Sequence, residues 1–389
     1  MKVFLDHAST TVVRKVARDA LVQALEEVGN PQSVHGHGQR TRAQLEDARD
    51  ELAKAVDCNR SEVIFNSGGT EANNHAIKGI FWARNQQSKR PIIISSAIEH
   101  HALIDPIQWL CRHEGAQLEL VKLLPNGEVD FEHLQELVTT YGDQIALISL
   151  MWVNNEVGII TDIERVCKIA GDIPVHSDAV QAFAHLPISF AKSGLAAMSV
   201  SGHKIGAPIG VGALIVSRAL KLESLLHGGG QERGLRSGTM SYPLASSFAA
   251  AATEAVQDLE PRQRELQLLR DRFESELTAA IPDVIVTAAN ANRIAHSSNV
   301  ILPGTKSDSM LFLLDEQGLS VSAGSACQAG VLGASHVLLG MGYSEQDATA
   351  CLRVSFGHTS KAEDVDFAIA AIKNAHAKAI KAQAVAART

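Results

Sequence analysis

The sequence predicts an α/β protein, with a mostly parallel sheet covered by helices and a smaller α/β part at the C-terminal end. Three observations predict it. Apolar, β-branched runs alternate with helical patterns as far as about Pro243. Beyond that point the texture changes to a long, charged helical stretch followed by short strands and helices. The chain of 389 residues, 46% hydrophobic and 20% charged, has the length of roughly two to three domains and the composition of a globular chain with a large core.

The elements follow in order. Strands are expected at Val63-Ile64-Phe65, Ile92-Ile93-Ile94, 118–123, 145–150, Pro174-Val175-His176, Met198-Ser199-Val200 and 211–216, short apolar runs that each include β-branched residues. Helices are expected at 43–56, 70–84, 102–112, 132–139 and 163–170, where apolar residues recur at helical spacing. One long helix is expected over 249–280, linking two domains. Short strands follow near Ile285 and 299–302, then a helix over 309–316 and a closing amphipathic helix from Lys361 on. The Ala/Lys-rich tail 375–389 reads as a frayed helix end.

The net charge of −8 gives no basic surplus for nucleic acid, and aromatics at 4% are too sparse for base-stacking platforms. The five cysteines are far apart and form no CxxC pair, which fits a reducing, cytoplasmic setting rather than a disulfide framework or zinc ribbon. The opening Met1-Lys2-Val3-Phe4-Leu5-Asp6-His7 reaches an acid before any apolar signal core, so no signal peptide is expected. The charge-poor stretches 195–216 and 319–340 are broken by Gly, Ser and His and read as core and loop, not membrane spans.

Several clusters carry chemistry. Ser67-Gly68-Gly69-Thr70 follows a strand and opens a helix, where backbone N–H groups and a hydroxyl can close on a phosphate. It also reads as an ordinary glycine turn with Thr70 as helix cap. Asp178 ends an apolar strand, at the sheet edge where open α/β proteins bind ligands, and equally suits a cap. Lys204 is the only Lys, Arg, Asp or Glu in 195–216. A lysine between apolar strands has a lowered pKa and suits imine formation, although a snorkelling lysine fits too. An enzyme using pyridoxal 5′-phosphate needs a phosphate cup, a Schiff-base lysine and a carboxylate facing the pyridinium nitrogen. Ser67–Thr70, Lys204 and Asp178 supply all three, and His100 in Glu99-His100-His101 suits stacking on the ring.

Cys327 stands in the small, uncharged run Ser322-Ala323-Gly324-Ser325-Ala326-Cys327-Gln328-Ala329-Gly330, a setting for a thiol that travels. Cys58, Cys111, Cys167 and Cys351 fall in or beside helical patterns and are assigned to packing. Arg353, alone in Leu352-Arg353-Val354-Ser355-Phe356, suits a substrate carboxylate or a structural ion pair. His35 and His37 lack the further ligands of a metal site, so no metal is expected.

These residues sit in a pattern that resembles the cysteine desulfurases of the iron–sulfur-cluster and nitrogen-fixation type. The shared motifs are Gly29-Asn30-Pro31, Ser67-Gly68-Gly69-Thr70-Glu71, Glu99-His100-His101, Val153-Asn154-Asn155-Glu156-Val157-Gly158, Asp178-Ala179-Val180-Gln181, Ser201-Gly202-His203-Lys204, His227-Gly228-Gly229-Gly230-Gln231-Glu232-Arg233, Arg236-Ser237-Gly238-Thr239 and Gly324-Ser325-Ala326-Cys327. The resemblance runs nearly the whole chain. It implies the fold-type I aminotransferase-like architecture, with a large cofactor-binding domain at 15–255 and a small domain built from 1–14 and 256–389. It implies that L-cysteine becomes L-alanine, with the sulfur held on Cys327 as a persulfide. By the same resemblance Lys204 carries the cofactor, and Gly69, Thr70, Ser201 and His203 hold its phosphate. Thr239 then reaches the phosphate of the other subunit of a homodimer. Asp178 faces the ring nitrogen, Asn155 and Gln181 meet the ring, His100 stacks and moves protons, and Arg353 with Asn155 receives the substrate. A cluster scaffold or tRNA-thiolation enzyme would accept the sulfur, with no nucleic acid or membrane bound directly.

The sequence departs from the family pattern at Val12, Gln328 and Gly333-Ala334, the last two beside the cysteine. Rival readings are a selenocysteine lyase or a small-amino-acid aminotransferase of the same fold, a non-catalytic sulfur carrier or scaffold-binding protein, and a nicotinamide dehydrogenase. An aminotransferase has no use for Cys327, the intact Lys204, Asp178 and His100 oppose a dead enzyme, and the dinucleotide glycine fingerprint is missing.

Overall fold

The computed structural model describes residues 2–324 and 333–386. Its centre is a seven-stranded sheet in the order Val63–Asn66, Gly212–Val216, Ala197–Ser201, Val175–Asp178, Ile145–Ser149, Ile92–Ser96, Gln117–Val121. Gly212–Val216 runs antiparallel to both neighbours and every other pairing is parallel. The 202–211 connection is too short for the crossover of about a dozen residues that a parallel pair needs, so the chain returns antiparallel.

Alternate residues of each strand face opposite helical layers. Val63, Phe65, Ile94 and Ile148 pack with Leu45, Leu52, Leu134, Val166 and Ala249 on one side. Ile64, Ile93, Leu147 and Leu214 pack with Ile77, Ile80, Leu103 and Leu110 on the other. Both faces are therefore apolar, which explains strands that read as continuous hydrophobic runs.

A second, three-stranded antiparallel sheet has the order Cys351–Ser355, Ser297–Ile301, Ile285–Val286. It packs with the helices Leu259–Ala280, Ser307–Glu316 and Ala362–Ala386 through Phe273, Leu277, Val300, Leu314, Leu352, Phe356 and Ile372. The N-terminal strand Val3–Phe4 pairs with Leu319–Ser320, and Asp6 bridges to Ser355, so the first residues of the chain belong beside the last.

Two expectations need correction. The single helix over 249–280 is two, Tyr242–Gln257 and Leu259–Ala280, parted at Asp258 (φ −92°, ψ 9°). The reason is burial: Ala249 and Ala252 face the large-sheet core, whereas Leu266 and Phe273 face the small-sheet core. One straight helix cannot point into both. The tail also stays helical to Ala386, because Ala375 and Ala379 are buried against the small-sheet core. The helix Lys15–Leu25 has no counterpart in the sequence reading.

Where the N-terminal segment and the two sheets meet, His7, His185, His296 and His358 gather. The rings of His185 and His296 lie 4.2 Å apart. Burial lowers His185 to about 3, and His7 and His358 to about 4, while His296 falls well below its ordinary value. An unfolded histidine titrates near 6.5. Between about pH 6.5 and 4 the unfolded chain therefore binds more protons than the folded one, and stability falls as the pH falls through that window. Urea midpoints measured at pH 7, 6 and 5 should decline in that order. A flat or rising series would contradict neutral histidines in the folded state.

Candidate active site

The C-terminal ends of the parallel strands surround a cavity of about 360 Å³. Gly69, Thr70, His100, Asn155, Asp178, Gln181, Ser201, His203, Lys204 and Arg353 all line it, so ten of the residues singled out in the sequence converge on one place. Thr239 does not line it and is exposed. Cys327 lies outside the described residues.

Each side chain is placed by an identifiable local cause. Gly68 takes a φ of +146°, and the helix Gly69–Asn85 starts immediately after the strand that ends at Asn66. A Cβ on Gly69 would fall 2.7 Å from Val180 Cγ2, so only glycine lets this helix start press against the sheet edge. Gly68, not Thr70, is the cap, and Thr70 sits exposed within the first helical turn. The helix N-terminus, Ser201 and His203 thus share one end of the cavity, where free N–H groups and the helix dipole favour an anion.

Asp178 ends the strand Val175–Asp178 and is buried. Its Oδ2 accepts from Asn73 Nδ2 at 2.6 Å, and its Oδ1 accepts from Val180 N at 2.9 Å. The turn-capping role and the outward-facing carboxylate are therefore compatible. Lys204 follows the strand Ala197–Ser201, and its Nζ donates to the carbonyls of Ala8 at 2.6 Å and Ser9 at 2.7 Å. Gln181 Nε2 donates to the same Ala8 carbonyl at 2.8 Å. Arg353 comes from the small sheet; Nη2 meets Asp6 Oδ1 at 2.8 Å and Ser9 Oγ at 2.6 Å, and Nη1 donates to the Asn155 carbonyl at 2.8 Å.

His100 caps the helix His101–His113, with Nδ1 accepting from Ala102 N at 3.0 Å. That bond assigns the proton of the neutral ring to Nε2. Burial lowers its pKa, Asp178 opposes the shift and Lys204 adds to it. His203 is lowered to about 4 by burial and then by Lys204. Both are neutral donors and acceptors near pH 7. Glu99, fully buried with Oε1 accepting from Met151 N at 2.8 Å, has its carboxyl pushed well above the ordinary range by burial, with Asp178 adding to the rise.

Sequence reasoning missed Asn73, Asp6 and the carbonyls of Ala8 and Ser9. Asn73 lies three residues after Thr70 on the same helix and one turn inward, a spacing that could have pointed to it. Backbone carbonyls leave no sequence signal. The other singled-out polar residues have structural duties: His35 caps the helix Gly36–Ala55 through Gly38 N, and His37 meets Arg40. Cys58, Cys111 and Cys167 are half-buried and Cys351 is buried, with burial raising all four thiols.

The donor set fits pyridoxal phosphate on an observation of its own. Among the described residues, Asn73 Oδ1, Asn155 Oδ1, His203 Nδ1 and Arg353 Nε are buried atoms without a hydrogen-bond partner, and all four belong to side chains lining this cavity. Buried polar groups are seldom left unpaired, so a cluster of them marks a place for a polar ligand.

The aminotransferase class-V model matches residues 3–367. The chain belongs to the class-V aminotransferase family. Its relatives include an IscS-like cysteine desulfurase of Mycobacterium tuberculosis, 43% identical over 388 residues that cover 99% of this chain and 98% of that one. The cysteine desulfurase NifS of Azotobacter vinelandii is 34% identical over 94% of this chain and 90% of its own length. Among solved structures, a NifS-like protein superposes with a TM-score of 0.88 at 31% identity, covering 96% of this chain and 99% of that one. The fold is thus the fold-type I aminotransferase-like one, and class-V enzymes of this kind depend on pyridoxal phosphate.

Asn73→Ala should remove the amide that orients Asp178 while leaving the Val180 contact. A hydrogen bond to a charged group is worth about 1.5–3 kcal/mol, so pyridoxal phosphate retention should weaken roughly tenfold or more. Dialysis followed by absorbance of bound cofactor measures this, and unchanged retention would show that Asn73 does not orient Asp178.

Proposed function

We propose that the protein is a cysteine desulfurase that converts L-cysteine to L-alanine and takes the sulfur as a persulfide on Cys327. The observation that carries it is the single cavity in which Lys204, Asp178 and Arg353 meet beside a helix N-terminus. Full-length likeness to enzymes named cysteine desulfurase supports the reaction over transamination or selenocysteine cleavage.

Gly69, Thr70, Ser201 and His203 would bind the phosphate and Lys204 the carbonyl carbon of the cofactor, with Asn155 and Gln181 beside the ring and His100 over it. When bound, pyridoxal phosphate supplies an electron sink for the substrate Cα. Asp178, held by Asn73, keeps a proton at the ring nitrogen. Arg353 orients the substrate carboxylate; its Nη groups are already set by Asp6, Ser9 and the Asn155 carbonyl. Lys204 Nζ takes the Cα proton, and neutral His100 relays protons through Nε2. The Cys327 thiolate attacks the substrate sulfur, because the thiolate is the nucleophile. The substrate C–S bond breaks and an S–S bond forms. L-Cysteine and the Cys327 thiol become L-alanine and the Cys327 persulfide, with no outside oxidant or reductant.

A homodimer, with Thr239 of each chain at the other's phosphate, is supported by the exposure of Thr239 outside its own cavity and by the exposed apolar Val12, Val13, Val16, Val22, Leu25 and Ile209. The division into 15–255 and 1–14 with 256–389 is supported by two sheets with separate apolar clusters. Among the described residues no helix is long and apolar enough to cross a membrane. A cytoplasmic setting is supported by dispersed cysteines. The sulfur acceptor is a cluster scaffold or a tRNA-thiolation enzyme.

Incubation with cysteine, alkylation and peptide mass analysis should find the extra sulfur on Cys327. Cys327→Ala should retain cofactor and cysteine binding yet release little alanine, whereas Lys204→Ala should lose the borohydride-fixed cofactor attachment. Extra sulfur on another cysteine, or full turnover in Cys327→Ala, would overturn the assignment.

A further inference from the structure

At the edge of the large sheet opposite the active site, a second cavity of about 530 Å³ opens between four connections. Its walls are the turn that follows the helix Gly69–Asn85, the loops that lead into the strands Val175–Asp178 and Ala197–Ser201, and the stretch that leaves Gly212–Val216. Small-molecule sites have volumes of about 300–1,000 Å³, so the space is of that size. None of the chemistry above uses it. Arg84, Arg90 and Lys221 line it, and Asp172 is the acid among its lining residues.

Both guanidiniums are held by backbone carbonyls rather than by carboxylates. Arg84 Nη2 donates to Ile145 O at 3.4 Å, and Arg90 Nη1 donates to Asp143 O. The backbone of Arg90 is fixed as well: Asn85 Oδ1 accepts from Arg90 N at 2.8 Å, and Asn85 Nδ2 donates to Arg90 O at 3.0 Å. Arg84 Nε is a buried donor with no hydrogen-bond partner among the described residues. Burial lowers the Arg84 pKa and Arg90 lowers it further, so the two positive charges repel. A guanidinium nonetheless keeps its proton. Glu223, which does not line the cavity, accepts from Gln86 Nε2 at 2.6 Å. On a chain of net charge −8, this pocket of positive charge runs against the whole.

We propose that this cavity is a second anion site, which takes a small phosphate compound through Arg84 and Arg90. Like charges held close together are costly, and a buried donor is seldom left unpaired. One multivalent anion relieves both. Three positive groups against one acid leave an excess that suits a phosphate dianion, whereas a single carboxylate would leave part of it unmatched. Phosphate oxygens also accept paired N–H bonds from a guanidinium. Asp172 opposes the anion, which gives the test a sign to read. The inference stands apart from the reading of Cys327, because the cavity shares no lining residue with that of Lys204.

The test uses the holoenzyme, so that the cofactor's own phosphate cup is filled, with inorganic phosphate and pyrophosphate as probes. Calorimetric titration at constant ionic strength should find saturable binding of one anion per chain, tighter for pyrophosphate. Arg84→Gln and Arg90→Gln should each weaken it by roughly tenfold, the loss of a charge-assisted hydrogen bond. Asp172→Asn should tighten it by about twofold to fivefold, because a repulsion is removed. Lys378→Gln takes the same charge from an exposed place on the helix Ala362–Ala386 and should leave affinity within about twofold. Bound-cofactor absorbance should stay unchanged in all four variants. Should Arg84→Gln fail to fold, Arg90→Gln and the exposed Asp172→Asn decide. Absence of saturable binding, equal affinity in Arg90→Gln and Lys378→Gln, or weaker binding in Asp172→Asn would overturn the proposal.

Discussion

Lys204 Nζ is held by the carbonyls of Ala8 and Ser9, and the rest of the site depends on that contact. The lysine belongs to the large sheet, and the carbonyls belong to a segment that starts as a strand beside Leu319–Ser320 of the smaller part. The same Ala8 carbonyl takes Gln181, and the neighbouring Asp6 and Ser9 take Arg353. Three residues of one short segment, Asp6, Ala8 and Ser9, thus hold both the amine and the guanidinium that line the cavity. Ser355 Oγ accepts from Ala8 N at 2.9 Å and Ser355 N donates to Leu5 O at 2.8 Å, so the segment itself cannot drift from the arginine strand. The relative placement of Lys204 and Arg353 follows from this short bridge rather than from either sheet alone.

Charge at the cavity is distributed to suit a phosphate and a carboxylate. Lys204 and Arg353 bring positive charge, while His100 and His203 are kept neutral by burial. Burial pushes the Glu99 carboxyl well above its ordinary range, and the nearby Asp178 adds to that rise. The unpaired Arg353 Nε fits the same pattern. Both Nη groups are engaged by the protein, and the remaining donor is buried among cavity-lining side chains. An arginine so arranged is oriented by the protein alone, and such preorganisation lowers the entropy cost of binding an anion.

Much of this was legible in the sequence, for particular reasons. Lys204 stood out because its flanks are apolar, and a lone charge in such a run must have a purpose or a partner. Asp178 and Ser67–Thr70 stood out because strand ends and glycine turns mark the binding edge of an α/β sheet. The strands read well because burial on both faces leaves unbroken apolar runs. What stayed hidden was contact made through backbone, such as Ala8 and Ser9, and contact made by an ordinary helix residue, such as Asn73. The break at Asp258 was hidden as well. Helical periodicity continues through it, and only the existence of two cores, unreadable from local pattern, forces the bend. Thr239 is exposed and lies outside the cavity, so the contacts within one chain say nothing of the role its motif implies.

The seam that carries the bridge also explains its histidines. His185 Nε2 lies 3.4 Å from the Lys204 carbonyl, and His7 packs beside Asp6, the partner of Arg353. Arg14 and Arg262 lie close enough to lower His185 and His358 further, after burial has done most of it. Charged side chains here would set more positive charge beside a lysine and an arginine that already face one cavity. Apolar side chains would leave the Thr11 hydroxyl, which meets His7 Nδ1 at 2.6 Å, without its partner. Neutral imidazoles meet both demands. They fill the joint between the sheets, keep its polar atoms paired, and leave the electrostatics of the cavity to Lys204, Arg353 and Asp178.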